Sequence, residues 1–294
     1  MKLKERLNSL AVNALSMISS KETQRPARGK LAADPLPLRP LYWIYERRLL
    51  HQIDRRRVPR HVGIILDGNR RHARDKGVSD PLKIYRPGAE KLDEILDWCV
   101  ELSIPAVTLW VFSTDNLKRL PSEVSGILAA IEAKVTTLAQ NPRLHQQRVR
   151  VRAIGRLDIL PESVAAAFRA AQKATAQYDS MTLTIAVAYG GREEIVDAVR
   201  SLLKAEAVGA NYSISDLIER ITPDAIARHL YAGDLPDPDL IIRTSGEVRL
   251  SGFLLWQSVH SEFYFTDVLW PAFRKIDFLR AIRAYQARER RLGR

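Results

Sequence analysis

The sequence predicts a single α/β domain, with a mostly parallel central sheet of about six strands flanked by helices. Three observations predict it. Short runs rich in β-branched and aromatic residues recur at 62–66, 106–112, 149–154, 183–189, 239–245 and 262–269. Helical periodicity fills the gaps: in the first, Leu92, Ile95, Leu96, Cys99 and Val100 fall on one face. The runs are nearly continuous in apolar residues rather than alternating, as in strands covered on both faces.

In chain order, residues 1–20 combine lysines with an apolar stretch broken by Asn8, Asn13 and Ser16. That is neither a bilayer span nor a secretory signal with a clean apolar core. It fits a lipid-touching amphipathic helix or a frayed leader. Residues 21–40 hold Pro26, Gly29, Pro35, Pro37 and Pro40 and form a linker. A basic amphipathic helix is expected over 41–57, where Tyr42, Trp43, Tyr45, Leu49 and Leu50 accompany Arg47, Arg48 and Arg55–Arg57. Its face suits either a membrane or partner, or packing on the domain behind it. Residues 1–57 are thus an N-terminal extension, and 58–294 the α/β domain. Within the domain, Pro121 with Glu123 and Pro161 with Glu162 mark helix starts.

Lys+Arg number 46 against 34 Asp+Glu, a net charge of +12. The excess points to an anionic partner: nucleic acid, an acidic membrane or a phosphorylated small molecule. No nucleic-acid motif is present. The single cysteine, Cys99, excludes an intrachain disulfide and a cysteine-cluster metal site, and agrees with a cytoplasmic location.

In parallel sheets ligands bind beyond the carboxyl ends of the strands, so those positions carry the chemistry. The first strand runs into Asp67-Gly68-Asn69-Arg70-Arg71-His72. A glycine turn before a helix, followed by arginines, makes an anion cradle. Asp67 would repel that anion unless a hard cation such as Mg²⁺ bridged the two. A tight turn capped by an aspartate is the competing account. Ser113, Thr114, Asp115, Asn116 and Arg119 follow the second strand and suit a polar ligand portion or an ordinary capped turn. Arg243 ends the 239–245 run, with Glu247, Arg249 and Ser251 beyond it. They form a second cradle, or else Arg243 is paired structurally with Glu247 or Asp239. Tyr189-Gly190-Gly191-Arg192 fits an anion site or a close-packed glycine turn, and Glu262 a metal ligand or a polar strand start.

The run His61 to Arg71 resembles the opening motif of the cis-prenyltransferases, the family of undecaprenyl diphosphate synthase. Further matches follow in order: Phe112 to Asn116, Tyr189 to Ile195, Asp239 to Glu247, and Leu254 through Thr266. The resemblance implies a homodimer with a hydrophobic tunnel, joining isopentenyl diphosphate to an allylic diphosphate with Mg²⁺. It gives Asp67 the essential carboxylate role, binding metal together with Glu262. Gly68, Asn69, Arg70 and Arg71 then hold the allylic diphosphate, and Arg243, Arg249 and Ser251 the isopentenyl diphosphate. Tyr85, Ser113, Asn116 and Arg119 stand near the reacting groups, and Arg291 and Gly293 form an R-x-G element reaching across the dimer. Peripheral membrane contact would fall to the N-terminal extension.

The chain departs from the usual pattern at several places. Arg70 replaces a second glycine and His72 a tryptophan; Tyr85, Leu117 and Ala188 replace a common histidine, tryptophan and asparagine. Arg70, Tyr85 and Leu117 resemble the actinobacterial short-chain subgroup. Val111 occupies the tunnel position where long-chain enzymes tend to have alanine, so a short or medium product is expected. A non-catalytic partner subunit is the rival, but such subunits lose the aspartate and arginines that remain here. The aspartate-rich motifs of trans-prenyltransferases are absent from the sequence.

Overall fold

The computed structural model describes residues 39–207 and 213–288. The chain divides into two units between Gln52 and Ile53. In the first, helix α1 spans Arg39–Gln52, and the Arg47 guanidinium lies 5.0 Å from the centroid of the Trp43 ring. The rest of the expected leader and linker, residues 1–38, lies outside the described residues.

α1 starts two residues before the expected position and ends five before it. The early stop has a local cause. Asp54 accepts a hydrogen bond from the Arg56 N–H and starts a separate turn, Arg55–Arg57. Gln286 donates to the carbonyls of Asp54 (2.7 Å) and Arg57 (3.2 Å), binding this segment into the second unit.

The second unit alternates strand and helix. β1 is His61–Ile65, followed by α2 (Asn69–Asp75), α3 (Pro81–Ile84) and α4 (Arg86–Glu101). β2 is Ala106–Trp110, followed by α5 (Pro121–Gln140) and α6 (Pro142–Gln146). β3 is Val149–Ile154, α7 Glu162–Thr175 and β4 Met181–Ala186. Next come α8 (Gly191–Ala207), α9 (Ile214–Glu219) and α10 (Pro223–His229). β5 (Leu240–Arg243), β6 (Glu262–Phe265) and α11 (Lys275–Ala287) complete the unit.

The six strands form one parallel sheet in the order β3-β4-β2-β1-β5-β6. From β1 the chain builds the sheet to one side through β2, β4 and β3. β5 and β6 extend it to the other side. The loops leaving β1 and β5 therefore diverge, and a crevice opens beyond the carboxyl ends of these central strands.

Ile64, Leu109 and Leu183 in the sheet are fully buried, as is Ile95 on α4. Each such side chain contributes roughly 1.5–3 kcal/mol through removal from water. The expected face of α4 is buried at Leu92, Ile95, Leu96 and Cys99. Several strands stop sooner than their apolar runs. Ala188 (φ +46°) and Ser245 (φ +81°) take left-handed backbone, which breaks the extended ladder just after β4 and β5.

Candidate active site

The loop after β1 is held by its neighbours before any ligand is considered. Thr244 Oγ1 accepts from the Asp67 N–H (3.0 Å) and donates to the Asp67 carbonyl (2.7 Å). Trp270 N–H donates to the same carbonyl at 3.0 Å. Gly68 takes φ +108°, and a Cβ there would meet Leu269 Cα at 3.1 Å, so both conformation and space demand glycine. No side chain caps α2 at Gly68.

Asp67 does not stand alone. Its Oδ1 accepts from the Gly68 N–H at 2.8 Å and its Oδ2 from Arg243 Nη2 at 2.9 Å. Arg243, 4% exposed, also donates to Ser251 Oγ at 2.9 Å and to the Arg249 carbonyl. Burial of this arginine requires a counter-charge. The partner is Asp67, not Glu247 or Asp239, which were the candidates from the sequence. Glu247 instead pairs with Arg71 (3.4 Å) and Arg249, while Arg71 also donates to Ser245 Oγ at 3.1 Å.

A second cluster surrounds Glu123 at the start of α5. Its Oε1 accepts from Tyr85 OH and Arg119 Nη1, both at 2.7 Å, and lies 3.6 Å from Arg70 Nε. Burial alone would raise this carboxyl. The hydrogen bonds from Tyr85 and Arg119 and the charges of Arg119 and Arg70 outweigh it, leaving Glu123 below its ordinary range. Burial and the neighbouring carboxylate push the Tyr85 phenol up, so it remains a donor. Sequence reasoning saw in Glu123 only a helix start. Its role as common partner depends on contacts with residues far away in the chain, and no local signal marks it.

The two clusters face one cavity of about 540 Å³. Five arginines line it (Arg70, Arg71, Arg74, Arg119 and Arg249) against two carboxylates, Asp67 and Glu247. Asn116 also lines it, while its Oδ1 accepts from the Ser113 N–H at 3.0 Å. Ser113 therefore serves as a turn cap. The basin continues into a smaller chamber of about 60 Å³, whose walls are mainly apolar. Leu66, Asn69, Tyr85, Val111 and Ile127 belong to both. Asn69 Nδ2 donates to the Leu66 carbonyl, and its Oδ1 is buried without a hydrogen-bond partner.

Other expected residues lie elsewhere. Glu262 begins β6 in register with Leu240 of β5 and Val62 of β1, whereas Asp67 follows the far end of β1. About 10 Å of strand separates that row from the carboxyl end. Glu262 pairs with Arg288, so a single chain does not bring the two proposed metal ligands together. Tyr189 is fully buried and donates to Glu194 Oε2 (2.5 Å), and Gly191 N–H donates to the Gly252 carbonyl (2.9 Å). That segment is a close-packed turn. Arg291 and Gly293 lie outside the described residues.

Among the described residues no three His, Cys, Asp or Glu side chains cluster as an all-protein cage for a metal. Mg²⁺ commonly needs only one or two carboxylates when substrate phosphates supply the remaining oxygens. Asp67, a hard-oxygen donor within the arginine-rich basin, fits that requirement.

A parallel α/β domain with a cationic basin opening into an apolar chamber defines an enzyme for amphiphiles with a polyanionic head and a hydrocarbon tail. Residues 65–293 match the family model described as undecaprenyl diphosphate synthase, and the chain belongs to that family. It is a cis-prenyltransferase, extending prenyl chains carried on diphosphate. An isoprenyl transferase of Thermus thermophilus is 56% identical over 87% of this chain and 97% of its own length. The (2Z,6E)-farnesyl diphosphate synthase of Thermobifida fusca is 54% identical over 86% of this chain and 97% of its own. The crystal structure of lavandulyl diphosphate synthase from Lavandula x intermedia, in complex with dimethylallyl diphosphate, superposes with a TM-score of 0.72. It is 34% identical and covers 81% of this chain and 99% of that one.

Proposed function

We propose that the protein condenses isopentenyl diphosphate with a short allylic diphosphate and releases a Z-prenyl diphosphate of short or medium length. The observation that carries this reading is the continuity of the arginine basin with a chamber of only about 60 Å³. The basin suits two diphosphates, and the apolar walls of the smaller chamber suit a short hydrocarbon tail. The similarity to the Thermobifida fusca enzyme supports a short product as well.

In the reaction the allylic carbon–oxygen bond breaks and its electron pair leaves with diphosphate. The terminal alkene carbon of isopentenyl diphosphate bonds to the allylic carbon, and a proton is lost. Gly68, Asn69, Arg70 and Arg71 hold the departing diphosphate, with Arg119 and Asn116 beside it. Arg243, Arg249 and Ser251 hold the isopentenyl diphosphate. To bind, a diphosphate must replace Glu247 as the counter-charge of Arg71 and Arg249. Asp67 would hold Mg²⁺, which when bound neutralises charge on the leaving group. Preorganised cations are most effective where the site excludes water, and the apolar walls protect the allylic cation from it.

The reading includes a homodimer in which Arg291 and Gly293 reach the partner's site. Glu262 lies too far from Asp67 in one chain to share its metal, so any metal role for it belongs to a site completed by a second copy. Among the described residues no helix is long and apolar enough to cross a membrane. We place the enzyme in the cytoplasm, with peripheral membrane contact through the N-terminal extension.

The test is a product assay by mass spectrometry. Purified protein receives isopentenyl diphosphate with dimethylallyl, geranyl or farnesyl diphosphate, in Mg²⁺ or in EDTA. Metal-dependent elongation to a short product supports the reading; folded protein that elongates no primer defeats it.

A further inference from the structure

We propose that Lys134, latched to Asp93, is the stop that sets product length in this chain; the proposal rests on the cis-prenyl elongation described above. Lys134 is the one charged side chain among those lining the apolar chamber in the described residues. Its side chain is 12% exposed, and its Nζ lies 2.5 Å from Asp93 Oδ2 on the neighbouring helix α4. Asp93 is half exposed, yet its other carboxylate oxygen, Oδ1, is buried without a hydrogen-bond partner.

The position along α5 gives this pair its meaning. Glu123 accepts from Tyr85 and Arg119, which line the basin, and Ile127 lines both basin and chamber. Lys134 lines the chamber seven residues beyond Ile127, roughly 10 Å deeper along the helix. The chamber wall is built of small side chains at Ala89 on α4 and Ala130 on α5, which leave space between the two helices. The Lys134 stem fills part of that space. A lysine stem is four methylenes long and covers apolar surface well while its ammonium stays with a polar partner. Asp93 supplies that partner and fixes where the stem lies.

A growing tail meets this stem after passing Val111 and Ile127. To go further it must move the stem and separate the ammonium from its carboxylate, with no polar group of the tail to compensate either charge. Growth slows at that point, and release of the diphosphate product overtakes another addition. A plain helix–helix ion pair would have no such effect on product size.

The experiment compares full-length wild type, Lys134→Ala and Asp93→Asn, each supplied with geranyl diphosphate, excess isopentenyl diphosphate and Mg²⁺, with products sized by mass spectrometry. Lys134→Ala lengthens the main product by at least one isoprene unit. Asp93→Asn keeps the stem but loosens it, and broadens the distribution towards longer products. Asp93→Asn alters a half-exposed side chain and tests the latch even where Lys134→Ala misfolds. Wild-type product lengths from the folded variants overturn the proposal while leaving elongation intact. A wild-type chain that elongates no primer overturns the reading beneath it and this proposal with it.

Discussion

Arg243 Nη2 donates to Asp67 Oδ2 at 2.9 Å, tying the end of β5 to the loop after β1. The arginine is 4% exposed and the aspartate about a third exposed, so each conditions the other. The guanidinium aims one carboxylate oxygen and keeps its charge in the basin. In return the aspartate makes a buried cation tolerable.

Asp67→Asn should lower turnover by about 100-fold or more, the scale of losing one preorganised electrostatic group. Steady-state kinetics measures it, and activity near wild type would remove Asp67 from its role. The same change leaves Arg243 with a neutral partner. Losing one member of a buried pair costs about 3–5 kcal/mol. Because Asp67 is partly solvated, roughly 1–2 kcal/mol is expected in urea unfolding. Arg243→Met added to Asp67→Asn should recover part of that loss.

Gly68→Ala should destabilise the loop by about 1–2 kcal/mol from left-handed backbone alone. The contact of the new Cβ with Leu269 adds to this. Thermal unfolding should show the loss, and kinetics a matching fall in turnover. A variant with wild-type stability and rate would mean that the loop relaxes freely.

Glu194 predicts the pH dependence. Burial is the largest influence and raises this carboxyl above its ordinary value of 4.5, although Tyr189, Gln257 and the Tyr231 N–H all donate to it. A raised carboxyl contributes stability fully below the unfolded value, and the contribution is lost as pH rises through the folded one. Wild type should therefore gain most over Glu194→Gln at acid pH, with the difference shrinking above about pH 4.5. Denaturant titrations of both proteins across that range would show it; a gap that widens with pH contradicts the assignment.

Val111 lines both basin and chamber, so its size should act on the tail early. Val111→Phe should shorten the main product or slow the first addition, whereas Val111→Ala should leave the length where Lys134 sets it. Product sizing decides, and a longer product from Val111→Ala would place the stop at Val111 instead.

The fold was legible because apolar runs and amphipathic spacing are local properties, and the strands formed where those runs lie. Asp67, the glycine turn and its arginines were legible for the same reason, being contiguous at a strand end. Partnerships were not. Tyr85, Arg119 and Arg70 converge on Glu123 only after α2, α3 and α5 are placed. Asp67 and Glu262 looked alike as carboxylates near strands, yet one follows its strand and the other begins one. In a parallel sheet those ends lie on opposite edges, and nothing in either motif states the register. Nothing in the sequence separates Lys134 from any other lysine on a helix; only its folded neighbours show that it lines the chamber.

Trp270 joins three parts of the mouth. Its backbone N–H donates to the Asp67 carbonyl at 3.0 Å, its indole N–H to the Gly88 carbonyl at 2.8 Å, and its ring borders the chamber. A Cβ on Gly88 would fall 2.9 Å from that ring. The threshold between polar and apolar space is thus a fixed frame, braced by main-chain groups rather than by anything a substrate brings. On the proposed function, primers of different lengths would pass the same doorway, and selection among them would fall to the room behind it.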